Sequence, residues 1–135
     1  MKREEKIINL KKFTDARGSL VFAEGNADIP FEIKRFYSIY DVSENAIRGK
    51  HAHKTSDIVL FCMTGHCRVK LSARDGTSTE HTLSSPDQGL YIPAELWREM
   101  YDFTSDCVLI ALSSAAYDEN DYIRDFDVFM NGTKQ

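Results

Sequence analysis

No stretch of this 135-residue chain stays apolar for more than a few positions, which excludes a membrane-spanning helix of about 20 apolar residues. Like charges do not cluster beyond Lys2-Arg3. With 17 basic against 21 acidic residues and a formal charge of −4, a footprint for nucleic-acid phosphates is missing. The stretch from Met1 to Leu10 is charged rather than apolar, so no secretory signal is expected and the expected location is the cytoplasm. Cysteine is scarce: Cys62, Cys67 and Cys107 contain no C-x-x-C pair. That excludes a disulfide scaffold and reads as three small buried hydrophobes, two of them flanking a turn at Gly65. Repeats, low-complexity tracts and linkers are also lacking, so residues 1–135 read as one domain.

What the chain does have is alternation. The apolar fraction of 42% is enough for a core, and its dominant period is two, the period of strands. Strands are expected over Ile7 to Phe13, Ser19 to Ala23, Ile33 to Val42, Gly49 to His53 and Ile58 to Thr64. Further runs cover His66 to Ser72, Thr77 to Leu83, Gly89 to Ile92, Trp97 to Phe103 and Cys107 to Ser113. Asp15-Ala16-Arg17-Gly18 and Ala73-Arg74-Asp75-Gly76 have tight-turn chemistry, and Thr64-Gly65 reads as a short hairpin. Many short strands in so small a chain need their edges closed, which predicts an all-β jelly-roll barrel. From Ala115 the sequence turns acidic and aromatic, and Tyr122, Ile123 and Phe126 have the spacing of a short terminal helix or ordered arm.

The densest polar cluster is Arg48-Gly49-Lys50-His51-Ala52-His53-Lys54. On a strand His51 and His53 project to one face, with Ala52 opposite. Such a pair admits a metal site, acid/base work or a solvated edge. Arg35 and Tyr37 also share a face, and Arg17 and Arg48 stand at strand beginnings. Together with Arg98 these arginines form a set suited to a diphosphate, whose oxygens the guanidinium fork can bind in pairs.

The His cluster resembles the first box of the cupin superfamily, with Gly65 as its closing glycine. Where that box has a ligand Glu, this chain has Asp57 or Ile58, and Arg98 stands where the second box has its last His. An apolar group and a guanidinium cannot coordinate a cation, so no metal is expected. The order K-R-F-Y (Lys34 to Tyr37), R-G-x-H-A-H-K (Arg48 to Lys54), G-L-Y-I-P (Gly89 to Pro93) and W-x-E-M (Trp97 to Met100) is similar to the nucleotide-sugar 3,4-ketoisomerases. These are metal-free cupins, also called WxcM-like. D-x-R-G-S-L (Asp15 to Leu20), D-F-T-S-D-C (Asp102 to Cys107) and Y-D-E-x-D-Y-I-R (Tyr117 to Arg124) extend the resemblance over nearly the whole chain.

The resemblance implies an isomerase that moves the ketone of dTDP-4-keto-6-deoxy-D-glucose from C4 to C3 through an enediolate. Its product leads to 3-amino-3,6-dideoxyhexoses of bacterial surface glycans. It assigns the base to His51, with His53 as its partner and Tyr37 as a further donor. Arg98 would stabilise the enediolate, and Arg35, Arg48 and, if the first turn folds over the mouth, Arg17 would hold the diphosphate. No cofactor is implied; a homodimer is. Two departures stand out: family members often have Gln where Ile58 stands, and His as well as Arg at the place of Arg98. Trp97, of opposite parity to Arg98, is expected in the core, as are Met63 and Met100. His66 and His81 are expected in solvent, and Glu99 and Asp102 are candidates to bond a histidine. The alternatives are a dTDP-sugar 3,5-epimerase, a metal-dependent cupin and a non-catalytic sugar-nucleotide binding cupin.

Overall fold

A computed structural model describes residues 4–132. Its strands are β1 (Lys6–Asn9), β2 (Phe13–Asp15), β3 (Gly18–Leu20), β4 (Arg35–Tyr40), β5 (Arg48–His53) and β6 (Ile58–Thr64). There follow β7 (Cys67–Ser72), β8 (Ser78–Leu83), β9 (Gln88–Ile92), β10 (Trp97–Tyr101), β11 (Val108–Ser113) and β12 (Tyr122–Ile123). A 3₁₀ turn over Glu119–Asp121 precedes β12, and helix α1 (Phe126–Met130) comes last. Two five-stranded antiparallel sheets result, ordered β1-β9-β6-β11-β4 and β12-β5-β10-β7-β8, with β2 and β3 as a separate hairpin. This is the nearly all-sheet architecture that the alternation predicts, and it is cupin-like as the resemblance implies. The sheets face each other across a shared core but are not joined by ladders into a closed barrel.

Burial explains the sequence patterns. β7 alternates because only Cys67, Val69 and Leu71 face the core between the sheets. β6 opens with five buried residues because both its faces are covered. Ile58, Leu60 and Cys62 point into the shared core, while Val59 and Phe61 pack under Ile8, Leu10 and Ile29 of the N-terminal segment. On the outer face of the other sheet, α1 lays Phe129 over Ala52, Trp97 and Ile123.

Two expectations change, and the C-terminal one holds in both its forms, helix and arm. The run Ile7 to Phe13 is not one strand: after Asn9 the chain leaves the ladder at Leu10, whose amide bonds Asp87, and Phe13 starts the β2–β3 hairpin. Thr64-Gly65 is not a hairpin, because β6 and β7 belong to different sheets and the turn carries the chain between them. Gly65 has φ +70°, and a Cβ there would lie 2.5 Å from Asp106 Oδ1, so only glycine fits the corner. The terminal helix starts at Phe126, where Asp125 caps it through the amides of Asp127 and Val128, and the segment before it is an arm with one turn and a two-residue strand. The cysteines are buried and unbridged, as expected, with Cys62 Sγ 3.6 Å from Cys107 Sγ.

Candidate active site

The inner face of β5 is shaped by a bulge. In the ladder Arg98 faces His51 and Glu99 faces Gly49, so Lys50 is the extra residue on β5. Gly49 has φ +87° and Lys50 φ +57°, and a Cβ on Gly49 would meet the Arg98 carbonyl at 3.0 Å and Met100 Sδ at 3.1 Å. The bulge resets the side-chain parity. Arg48, three residues before His51, thereby turns to the same face and pairs with Met100.

His51 and His53 share that face with ring centroids 5.0 Å apart, edge to face. His51 Nδ1 lies 3.0 Å from the Gly49 carbonyl. A carbonyl has no proton to give, so Nδ1 carries the hydrogen and Nε2 the lone pair. His53 Nδ1 lies 2.9 Å from Asp121 Oδ2. Burial pushes the Asp121 carboxyl up, but hydrogen bonds from Ser56, Thr55 and His53 outweigh it and hold the group at about 2, ionised and accepting. His53 therefore also presents a bare Nε2. Both Nε2 atoms are buried and lack a protein partner. Burial lowers His51 to about 4 and His53 to about 3, the Arg98 charge adding to the effect in each.

Arg98 is 2% exposed and reaches the Leu96 carbonyl through one η-nitrogen at 3.0 Å. Its Nε and Nη1 have no protein partner. Burial lowers its pKa only to about 10, so it stays cationic at neutral pH. From β4, Tyr37 turns inward, its phenol pushed up by burial. Arg35 lies against the rings of Tyr37 and Tyr117, 5.2 and 5.5 Å from their centroids, with its η-nitrogens 3.4 Å from Tyr122 Oη. The Tyr122 ring covers both histidines at 4.9 and 4.5 Å. Beside these groups lies a cavity of about 460 Å³ lined by Arg35, Tyr37, Arg48, His51, Tyr122 and Arg124 among others, with His53 and Arg98 buried next to its lining. The size suits a small ligand, and three guanidiniums without a lining carboxylate select an anion.

Comparison with known proteins decides the relationship. The profile of the family described as FdtA: WxcM-like, C-terminal matches residues 3–134. This chain belongs to the FdtA, WxcM-like family. A relative from Aneurinibacillus thermoaerophilus, TDP-4-oxo-6-deoxy-alpha-D-glucose-3,4-oxoisomerase, is 52% identical over 127 residues, 93% of this chain and 90% of that protein. The 3,4-ketoisomerase QdtA of Thermoanaerobacterium thermosaccharolyticum, as an H51N mutant in complex with TDP-4-keto-6-deoxyglucose, matches with a TM-score of 0.93. Identity to it is 41%, covering 98% of this chain and 95% of that one. WlaRB, the TDP-quinovose 3,4-ketoisomerase of Campylobacter jejuni, matches at TM-score 0.90 and 43% identity over 96% of this chain and 98% of that one.

Within this WxcM-like chain the structure brings together His51, His53, Tyr37, Arg35, Arg48 and Arg98. It does not bring Arg17. That residue sits in the β2–β3 turn, its side chain 91% exposed and paired with Asp15 at 2.7 Å, and the turn does not fold over the cavity of its own chain. Ile58 is wholly in the core. Neither Glu99 nor Asp102 serves a histidine: Glu99 accepts from Trp97 Nε1 at 3.0 Å, and Asp102 pairs with Arg68. Trp97 is buried, as parity predicts, and His66 is exposed, but His81 is half-buried and paired with Glu5. Sequence reasoning missed Asp121, Tyr122 and Arg124. The Y-D-E-x-D-Y-I-R string contains all three, but only the antiparallel pairing of Tyr122 with His53 puts them beside the site.

Proposed function

We propose that this chain is a metal-independent 3,4-ketoisomerase acting on TDP-4-keto-6-deoxyglucose, with the site just described as its active site. One observation carries the reading: two neutral imidazoles with bare Nε2 atoms stand beside a buried guanidinium with bare N–H donors, His51 on the lining of a cationic cavity and His53 and Arg98 buried next to it. The family and the 52% identical oxoisomerase supply the substrate class. The donor set opposes a divalent ion, since Arg98 faces His51 across the ladder and would repel it.

The reaction needs a base at C3, a home for the enediolate charge, and a proton returned to C4. His51 Nε2 takes the C3 proton. Burial disfavours imidazolium in the empty site, and the charge that develops on O3 and O4 favours it only as the reaction proceeds, so the stabilisation falls on the transition state. His53 Nε2 accepts the O3 proton and passes it toward O4, with Tyr37 as a further donor. Arg98 places its free Nε and Nη1 hydrogens on the enediolate oxygens. His51 then returns its proton at C4. Arg35 and Arg48 hold the diphosphate.

The enzyme acts as a cytoplasmic homodimer. Phe13, Leu20 and Phe22, exposed around the Arg17 turn, form an apolar surface for a second copy, and through such contact Arg17 gains a route to a neighbouring cavity. Sedimentation of the purified protein gives the oligomeric state. The decisive test is NMR of the protein with TDP-4-keto-6-deoxyglucose in deuterated water. The 3-keto sugar should form, and His51→Asn should keep binding yet lose deuterium exchange at C3. Exchange at C5 instead would make the chain an epimerase, and binding without turnover would make it a binding module.

A further inference from the structure

Asp57 takes no part in the chemistry above, yet it is a carboxylate only 4% exposed, immediately before β6. A buried carboxylate is tolerated where hydrogen bonds replace its water, and here both oxygens accept one. Oδ1 takes the Ala94 amide at 2.9 Å and Oδ2 the Tyr91 hydroxyl at 3.2 Å. The residue is itself held fast. Its amide donates to Ser114 Oγ at 2.9 Å, and its carbonyl accepts from the Ser114 amide at 3.0 Å.

Ala94 lies in the turn from β9 to β10, and that turn touches the site twice. The next amide, of Glu95, donates to the His53 carbonyl at 2.7 Å, while the Glu95 carboxylate pairs with Arg74. Glu95 has φ +73°, a left-handed conformation that a residue other than glycine keeps only where its surroundings fix it. Leu96 follows, and its carbonyl accepts from Arg98 Nη2 at 3.0 Å, on the far side of the fork from the bare Nε and Nη1.

We propose that Asp57 is the positioning residue for Arg98: by pinning the Ala94 amide it fixes the β9–β10 turn, and with it the Leu96 carbonyl that aims the guanidinium. The inference rests on the ketoisomerase reading for what Arg98 does. A guanidinium held through one η-nitrogen is aimed no better than the carbonyl that holds it. Donors stabilise an oxyanion when they stand about 2.7–3.1 Å from where it will form, so a turn that drifts by about 1 Å is felt in the rate. Substrate affinity belongs to Arg35 and Arg48, on β4 and β5, and does not depend on this turn.

Steady-state kinetics on TDP-4-keto-6-deoxyglucose, with working sites counted by calorimetric titration of TDP, test this. Asp57→Ala should lower kcat per TDP-binding site by roughly 10- to 100-fold, while KM and TDP affinity stay within about threefold. A merely structural role would reduce the number of sites and leave the turnover of each unchanged. Asp57→Glu, which keeps the charge but moves the acceptors by one methylene, should lose kcat at constant KM as well. Asp57→Asn keeps an acceptor for the Ala94 amide and gives the Tyr91 hydroxyl a donor, so it should bring kcat back to within about fivefold of the unaltered protein. In an Arg98→Lys background Asp57→Ala should lower kcat by less than about threefold further, because the fork it positions is gone. Unchanged kcat per site in both Asp57→Ala and Asp57→Glu, a loss confined to KM, an Asp57→Asn enzyme as slow as Asp57→Ala, or an undiminished effect beside Arg98→Lys overturns the inference while leaving the isomerase reading intact. Absence of a 3-keto product from the unaltered protein overturns both.

Discussion

His53 and Asp121 are joined across 2.9 Å, from the ring Nδ1 to a carboxylate that also takes hydrogen bonds from the Thr55 amide and hydroxyl and from the Ser56 hydroxyl. The carboxylate is saturated with donors and remains ionised, so the imidazole has no choice of tautomer. Replacing Asp121 by Asn puts an amide N–H donor within reach of Nδ1 and releases the proton to Nε2, the atom proposed to take the O3 proton. By analogy with other His–carboxylate pairs, kcat should fall by about 10²-fold or more, with TDP affinity nearly unchanged. An Asp121→Asn enzyme with undiminished kcat would show that the tautomer of His53 does not matter.

The lowered histidines set the pH behaviour. With His51 at about 4 and His53 at about 3 in the folded protein, both bases are neutral from pH 5 upward, so kcat/KM should stay level through pH 6.5 and fall only as pH drops through about 4. The substrate brings negative charge next to His51 and raises it, so the acid limb of kcat should lie at higher pH than that of kcat/KM. Stability runs in the matching direction. The unfolded chain binds protons on these rings below its ordinary value of 6.5 and the folded chain does not, so their full contribution is present above pH 6.5 and is lost progressively down to about 4 for His51 and about 3 for His53. A rate profile centred on pH 6.5 would place the rings in a solvated site.

Gly49→Ala tests the bulge. The new methyl group would sit 3.0 Å from the Arg98 carbonyl at a φ of +87°, costing about 1–3 kcal/mol. Activity should fall beyond what the lost stability accounts for, because the bulge is what turns Arg48 to the side of His51. Thermal denaturation and kinetics on the same sample check both effects. A variant as stable and active as its parent would mean that the β5 register tolerates a side chain there.

Phe129→Ala removes the ring that α1 lays on Trp97, Ala52 and Ile123. It is wholly buried, so truncation should cost about 3–5 kcal/mol if the cavity does not collapse. The loss should be read by denaturant titration, with a drop in midpoint of the unfolding transition. A change below about 1 kcal/mol would mean that the helix contributes little to holding the arm.

Much of this was legible in the chain. β6 is read with its observed limits, Ile58 to Thr64, because an uninterrupted apolar run between turn residues has few alternatives. The parity of Arg35 with Tyr37, of His51 with His53 and of Trp97 against Arg98 holds because all are short steps along single strands. Parity alone would turn Arg48 away from His51, since an odd step reverses a side chain unless a bulge adds a residue, and nothing in R-G-K announces one beyond the glycine. Asp121 stayed hidden because it bonds His53 across 68 positions of sequence. Glu99 and Asp102 are nearer in sequence to Arg98, but sequence distance carries no information about which carboxylate a buried ring meets. The turn at Gly65 misled for a related reason: a tight corner looks the same whether it returns a strand to its own sheet or hands it to the other.

The arm that supplies Asp121, Tyr122 and Arg124 follows β11 and is fastened at the edge of one sheet, by β12 on β5, by the bonds of Asp121 to His53, Thr55 and Ser56, by Phe129 against Trp97, and by Arg74 bound to the Phe129 carbonyl. Because β12 is an edge strand, the other strands of both sheets can stay paired while the reaction chamber lacks a wall. Warming should detach that wall before the sandwich melts, so enzymatic inactivation would precede the loss of circular dichroism, and saturating nucleotide, by bridging arm and sheets, would draw the two events together.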